Sequence, residues 1–249
     1  MRRILFLALL FLPFSPIPAA AGEVTIAVAA NFTGTAEEIA EAFREETGHD
    51  AVLSFGSTGR LYAQVIHGAP FDVFLAADEA RPDLAIAEGY AVEGSAFVYA
   101  LGALVLYSTD PELVDPEGAV LFHPERFGKL AIANPRTAPY GAAAVEAMTA
   151  LKIYDQLSDR LVEGENITQA FQFVATGNAA LGFVALSQVI DRPGGSRYEV
   201  PIDLYRPIAQ GAVLLNKGAN NPAAEAFMNF LKGDVARRIV ENHGYRLPS

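Results

Sequence analysis

Two rhythms of apolar and polar residues take turns along this chain. "EVTIAVAA" (residues 23–30) is a nearly continuous apolar run, the pattern of a strand buried on both faces of a parallel sheet. In the next stretch, "NFTGTAEEIAEAFREETG", Ala36, Ile39, Ala40 and Phe43 fall at helical spacing. Thr35 and Glu38 fit a capping box there, and Gly48 a C-terminal stop. "HDAVLSFG" then reads as a strand, "RLYAQVIHG" as a helix with Leu61 and Val65 on one face, and "FDVFLAA" as a third strand. "RPDLAIAEG" is a helix with proline in its first turn. The strand "ALGALVLYS" (100–108) opens a new block. After it come a strand "KLAIANP", a long helix opened by Pro139, a helix "NITQAFQFVATG" and a strand "AALGFVAL". A loop "DRPGGSRYEVP", a strand "RPIAQGAVLLN" and one or two helices over 221–244 complete the chain.

Alternating strands and helices predict an α/β fold. The expected organisation is two lobes, one built from residues 22–100 and 206–249 and the other from 101–205. The chain then crosses between them near Ala100 and again near Arg206. Two crossings make a hinge, and the cleft between the lobes is the natural ligand site. Residues 1–21 are a separate object. Arg2 and Arg3, the apolar run "ILFLALLFLPF" and the small residues of "SPIPAAA" have the order of a secretory leader, with cleavage expected after Ala21.

Composition narrows the function. The 249 residues are 51% hydrophobic and 19% charged, enough for one large domain or two lobes. A formal charge of −11 argues against nucleic acid and anionic membrane as partners, since both need a basic face. With no cysteine, the chain has neither disulfides nor thiolate chemistry. Its four histidines (His49, His67, His123 and His243) have no ligand spacing. Asp72 and Asp78 flank a buried strand and read as structural. No G-x-S-x-G elbow occurs, and "GSTGR" lacks the lysine of a phosphate-binding loop, so an enzyme is not expected.

One feature recurs. Four strand-to-helix junctions carry small, hydroxyl or amide residues: "AANFT" (29–33), "GSTG" (56–59), "TAPYG" (137–141) and "GENIT" (164–168). A helix N-terminus leaves its first N–H groups unpaired and carries about half a positive charge, so such ends bind anions without lysine or arginine. In open α/β sheets ligands sit outside the carboxyl ends of the strands, where these junctions lie. Each is also an ordinary place for a capping residue.

The segments "AVAANFTGTAEEIAEAF", "SFGSTGRLYAQVIHGAPFDVFLAADE", "ANPRTAPYGAAAVEAM" and "GNAALGFVALSQV" together resemble the periplasmic molybdate-binding proteins of ABC transporters, in order along the whole chain after the leader. The resemblance implies a two-lobed type II periplasmic binding protein fold with a hinge and an inter-lobe cleft. It further implies a periplasmic, monomeric, non-enzymatic protein that closes on molybdate or tungstate and delivers it to a membrane ABC permease. No cofactor is implied, and molybdenum enters only as the oxyanion. Carried over residue by residue, the binding positions are Ala30 and Asn31, a hydroxyl from Ser57 or Thr58, and the amides of Tyr140 and Ile167. Asn31 and Ala185 stand where the enterobacterial pattern has a serine and a tyrosine, so this chain is closer to a second branch of the family.

The donor chemistry agrees with that implication. Hydrogen bonds to a charged group contribute roughly 1.5–3 kcal/mol each, so six or seven would give on the order of 10–15 kcal/mol before ordering costs. Sub-micromolar binding needs only about 8–10 kcal/mol net. A site of donors alone suits a fully deprotonated oxyanion. Sulfate, or iron held through tyrosines, is the alternative ligand for the same fold.

Overall fold

The computed structural model describes residues 21–248, so the leader lies outside the described residues except for Ala21. Strands β1 (Glu23–Ala29), β2 (Asp50–Gly56), β3 (Val73–Leu75) and β4 (Phe97–Gly102) alternate with helices α1 (Thr33–Thr47), α2 (Thr58–Ile66) and α3 (Ala80–Ala87). Next come β5 (Leu104–Ser108), β6 (Leu130–Ala133), α4 (Pro139–Ala150), α5 (Tyr154–Leu157), β7 (Leu161–Gly164), α6 (Ile167–Ala175), β8 (Leu181–Ala185) and β9 (Ser196–Glu199). β10 (Ile208–Leu214), α7 (Pro222–Lys232) and α8 (Asp234–Asn242) follow.

The strands form two five-stranded sheets, ordered β2-β1-β3-β10-β4 and β7-β6-β8-β5-β9. Each is mixed: β1 runs parallel to β2 and β3 while β10 is antiparallel to β3 and β4, and β6 runs parallel to β7 and β8 while β5 is antiparallel to β8 and β9. Each sheet with its helices makes one lobe of an α/β protein. Among the described residues no helix is long and apolar enough to cross a membrane.

Register decides where the junctions go. β1 and β2 pair residue for residue from Glu23–Asp50 to Ala29–Gly56, so the two chains leave the first sheet side by side. In the second sheet Ala133 pairs with Gly164, which sets the starts of α4 and α6 next to each other. β5 follows β4 after the single residue Ala103, and residues 200–207 carry the chain back. The first crossing lies beyond Ala100 because Ala100, Leu101 and Gly102 still pair with β10.

Local readings differ from the structure at instructive places. A 3-10 turn, Ala30–Phe32, runs directly into α1, so Thr35 lies inside the helix, buried, and no capping box forms. The long helix read from Pro139 stops at Ala150, and Lys152 turns the chain at φ 61° before α5. β7 ("LVEG") and β9 ("SRYE") escaped the apolar pattern because they are edge strands, whose outer face is polar.

Candidate functional site

The four helix starts meet. One small cavity between the lobes is walled by Ala29, Ala30, Asn31, Gly56, Ser57, Thr58 and Ala77 from one lobe and by Ala138, Pro139, Tyr140, Asn166 and Ile167 from the other. All six positions carried over from the resemblance line it, and none of the lining residues is charged. Below it, Ala29, Ala30 and Ala77 join the apolar core of the second lobe through Ala138 and Tyr140, which excludes water from the floor.

Three of the four helix starts carry no side-chain cap. Ser57 occupies the N-cap position of α2 yet makes no capping hydrogen bond. Its hydroxyl is buried and has no partner. A serine acting only as a cap would accept from an amide of the first turn. The N-terminus of α4, at Ala138, also lacks a side-chain cap, as does the turn at Ala29. Of the four junctions, α6 alone is capped, with Asn166 Oδ1 accepting from Gln169 N at 3.0 Å, which leaves the Ile167 amide ahead of it. Buried first-turn amides without side-chain caps need a partner from elsewhere, and the cavity is where one fits.

The neighbouring hydroxyl has another task. Thr58 Oγ1 accepts from Ala77 N at 3.0 Å and pins the start of α2 to the end of β3. Asn31 is occupied on its side chain too: Nδ2 donates to Gln210 Oε1 at 2.8 Å and to the Tyr245 hydroxyl at 3.1 Å. Its carbonyl accepts from Ser187 Oγ and the Tyr245 hydroxyl, so the donor Asn31 has left for the cavity is its main-chain N–H. The Tyr140 ring runs back under the hinge to Gly102, where a Cβ would collide with its hydroxyl. Burial pushes that hydroxyl far above the ordinary tyrosine range, and it stays neutral.

The lobes touch across the cleft. Gly59 N donates to Thr137 O at 2.8 Å, and a Cβ on Gly59 would stand only 3.1 Å from Thr137 Cα, so any side chain here would press the lobes apart by a few tenths of an ångström. Thr168 Oγ1 reaches Ala30 O at 3.1 Å. Arg60 pairs with Glu165 of the opposite lobe at 2.5 Å while remaining exposed. A wider groove of about 380 Å³ adjoins the cavity at Ala77, Ala138 and Pro139 and is flanked by the ion pairs Arg81–Asp78 and Arg206–Glu146.

The residues read as structural sit away from the cavity wall. Asp72 Oδ2 accepts from Thr25 N at 2.7 Å and Thr25 Oγ1 at 2.9 Å, tying β3 to β1. His243 pairs with Glu38, His123 with Glu125, and His49 accepts from Gly22 N. Among the described residues no group of His, Cys, Asp or Glu is arranged to hold a metal ion. Sequence reasoning missed Gln210, Tyr245 and Ser187, which hold the wall from behind. Gln210 left a signal, a lone amide in the apolar run "PIAQGAVLL".

Comparison with known proteins places these features in context. The family model for bacterial extracellular solute-binding proteins matches residues 24–246. The molybdate-binding protein ModA of Rhodobacter capsulatus is 55% identical over 229 residues, 92% of this chain and 90% of that protein. ModA of Azotobacter vinelandii is 53% identical over 232 residues, 92% of each. The solved structure of the Azotobacter vinelandii periplasmic molybdate-binding protein superimposes with a TM-score of 0.88 at 42% identity, covering 91% of this chain and 100% of that one.

Proposed function

The chain belongs to the bacterial extracellular solute-binding proteins, and from that premise we propose that it binds molybdate between its lobes and delivers it to a membrane ABC permease. Tungstate, of the same shape and charge, is accepted as well. The protein works as a monomer in the periplasm, and its task is capture and transport rather than catalysis.

One observation carries the reading: uncapped helix starts from both lobes converge on a cavity lined by neutral donors. The amides of Ala30, Asn31, Tyr140 and Ile167 and the hydroxyls of Ser57 and Thr58 are the proposed donors. Each helix end adds a partial positive charge that a dianion completes. A carboxylate acceptor, which a protonated phosphate would favour, is absent from the wall. The iron alternative loses its tyrosine, because the Tyr140 hydroxyl lies at the hinge rather than in the cavity.

Calorimetric titration of the mature protein with molybdate, tungstate, sulfate and phosphate tests this. Tight binding of the first two alone is expected. Tight sulfate or phosphate binding would keep the oxyanion site and overturn the ligand, and silence from all four would overturn the site.

A further inference from the structure

Gln210 lies in β10 at the bulge where pairing with β4 shifts register, and it is completely buried. Its side chain addresses both lobes. Oε1 accepts from Asn31 Nδ2 at 2.8 Å and from the Tyr99 hydroxyl at 3.2 Å. At the other end Nε2 and the Tyr140 hydroxyl lie near each other, and neither makes a hydrogen bond of normal geometry with any group. These two unpartnered groups crowd one spot in the hinge: a Cβ on Gly102 would stand 3.0 Å from Nε2 and collide with the hydroxyl. Asn31 and Tyr140 supply cavity wall from opposite lobes. A single amide side chain therefore stands behind both sides of the anion site. Buried polar groups left unpartnered are costly, and an unexplained pair calls for a role.

Resting on the molybdate reading above, we propose that Gln210 is a positioning residue that sets the closed spacing between the Asn31 and Tyr140 amides, and thereby the preference for the larger oxyanions over sulfate. Asn31 is held at one end of the Gln210 side chain. Tyr140 moves with the second lobe, and on closure its ring comes to rest against Gln210 and Gly102. That contact is a stop at the pivot. Hydrogen bonds weaken steeply with distance and misalignment, so at a fixed wall-to-wall spacing a small tetrahedral anion cannot satisfy both sides at once. A larger one can. Gly102 is part of the device, because any side chain there would displace the stop.

The test compares wild type, Gln210→Met and Tyr140→Phe by titration with molybdate and with sulfate, alongside thermal unfolding. Gln210→Met keeps the volume and removes the bond to Asn31; its molybdate affinity is expected to fall about tenfold, with the molybdate-to-sulfate ratio contracting. Tyr140→Phe keeps the wall amide, loses only the hydroxyl facing Gln210, and is expected to contract the ratio in the same direction. A Gln210 with a purely structural role would lower the unfolding temperature and leave the ratio at its wild-type value, which overturns the proposal. If Gln210→Met fails to fold, an unchanged ratio in Tyr140→Phe overturns it instead. Wild type that binds neither anion would bring down the molybdate reading and this inference with it. Wild-type binding with unaltered ratios in the variants brings down this inference alone.

Discussion

Ser57 separates binding from stability at a single atom. Its hydroxyl is buried, uncommitted and on the cavity wall, so removing it breaks no bond within the fold. Ser57→Ala is expected to weaken molybdate binding by about 1.5–3 kcal/mol, roughly 10- to 100-fold, with the unfolding temperature unchanged or slightly raised. Calorimetry and a thermal melt on one preparation check both halves; an unaltered affinity would take Ser57 off the donor list. Removing the Thr58 hydroxyl next to it should lower stability as well as affinity, because that hydroxyl accepts from Ala77 N while its proton stays available to the anion. The two adjacent hydroxyls were alike in the sequence. Their difference comes from the segment after β3, where Ala77 brings an amide to one and not to the other.

At the scale of the element, the proposed site is built from helix starts rather than from side chains. Ile167 is the first residue of α6, and Asn166 before it is extended at φ −148°, ψ 177°. Proline is tolerated at a first helical position, and an extended preceding residue suits it. Ile167→Pro therefore removes one N–H while the helix persists. Ile167→Ala is the control for the lost apolar side chain, which is buried. Molybdate affinity is expected to drop about tenfold further in the proline variant than in the alanine one. Equal affinities in two folded variants would remove this junction from the site. α1 shows how an element boundary hides from pattern reading. The helical periodicity of Ala36, Ile39 and Phe43 is real, and all three are buried. The turn before it, Ala30–Phe32, is set by the contacts Asn31 makes with Gln210, Tyr245 and Ser187, all distant in sequence.

For the whole molecule, closure and pH are the readable consequences. The contacts Gly59–Thr137, Thr168–Ala30 and Arg60–Glu165 join the lobes across the cleft. They are few and partly exposed, and an exposed ion pair contributes only about 0–1 kcal/mol. Ser187 bonded to Asn31 and Tyr245, and the apolar core shared at Ala29, Ala30 and Ala77, hold the lobes together from behind, and an anion bound at the front would add to these ties. Small-angle scattering is expected to show a smaller radius of gyration with molybdate than without it, and identical curves would argue against a ligand-driven hinge. The proposed donors are amides and neutral hydroxyls, none of which titrates near neutrality, so affinity should stay level from about pH 6 to 9. Stability should not stay level at the alkaline end. Burial pushes the Tyr245 hydroxyl up to about 12, and Tyr99 and Tyr140 are raised as well. Groups raised in the folded state contribute stability that is complete below the unfolded value near 10 and is lost as pH climbs toward the folded one. Denaturation midpoints measured from pH 9 to 12 should fall, and Tyr245→Phe should flatten that fall. A slope that Tyr245→Phe leaves unaltered would show that this tyrosine does not drive it.

The sequence by itself determined the alternation of strands and helices, the four polar strand-to-helix junctions and, through resemblance, the oxyanion class. These are local matters: periodicity follows from the geometry of strand and helix, and a glycine- or serine-bearing turn is visible without its neighbours. Only the tertiary structure decided which junction groups remain free for a ligand. That depends on partners far along the chain, such as Ala77 for Thr58 and Gln210 for Asn31, 179 residues away. It also decided that Arg60 spans the cleft and that the Tyr140 ring lies under the hinge. Whether a polar atom is satisfied is a property of three-dimensional packing, where register and lobe contact bring donor to acceptor, and no pattern along the chain encodes it.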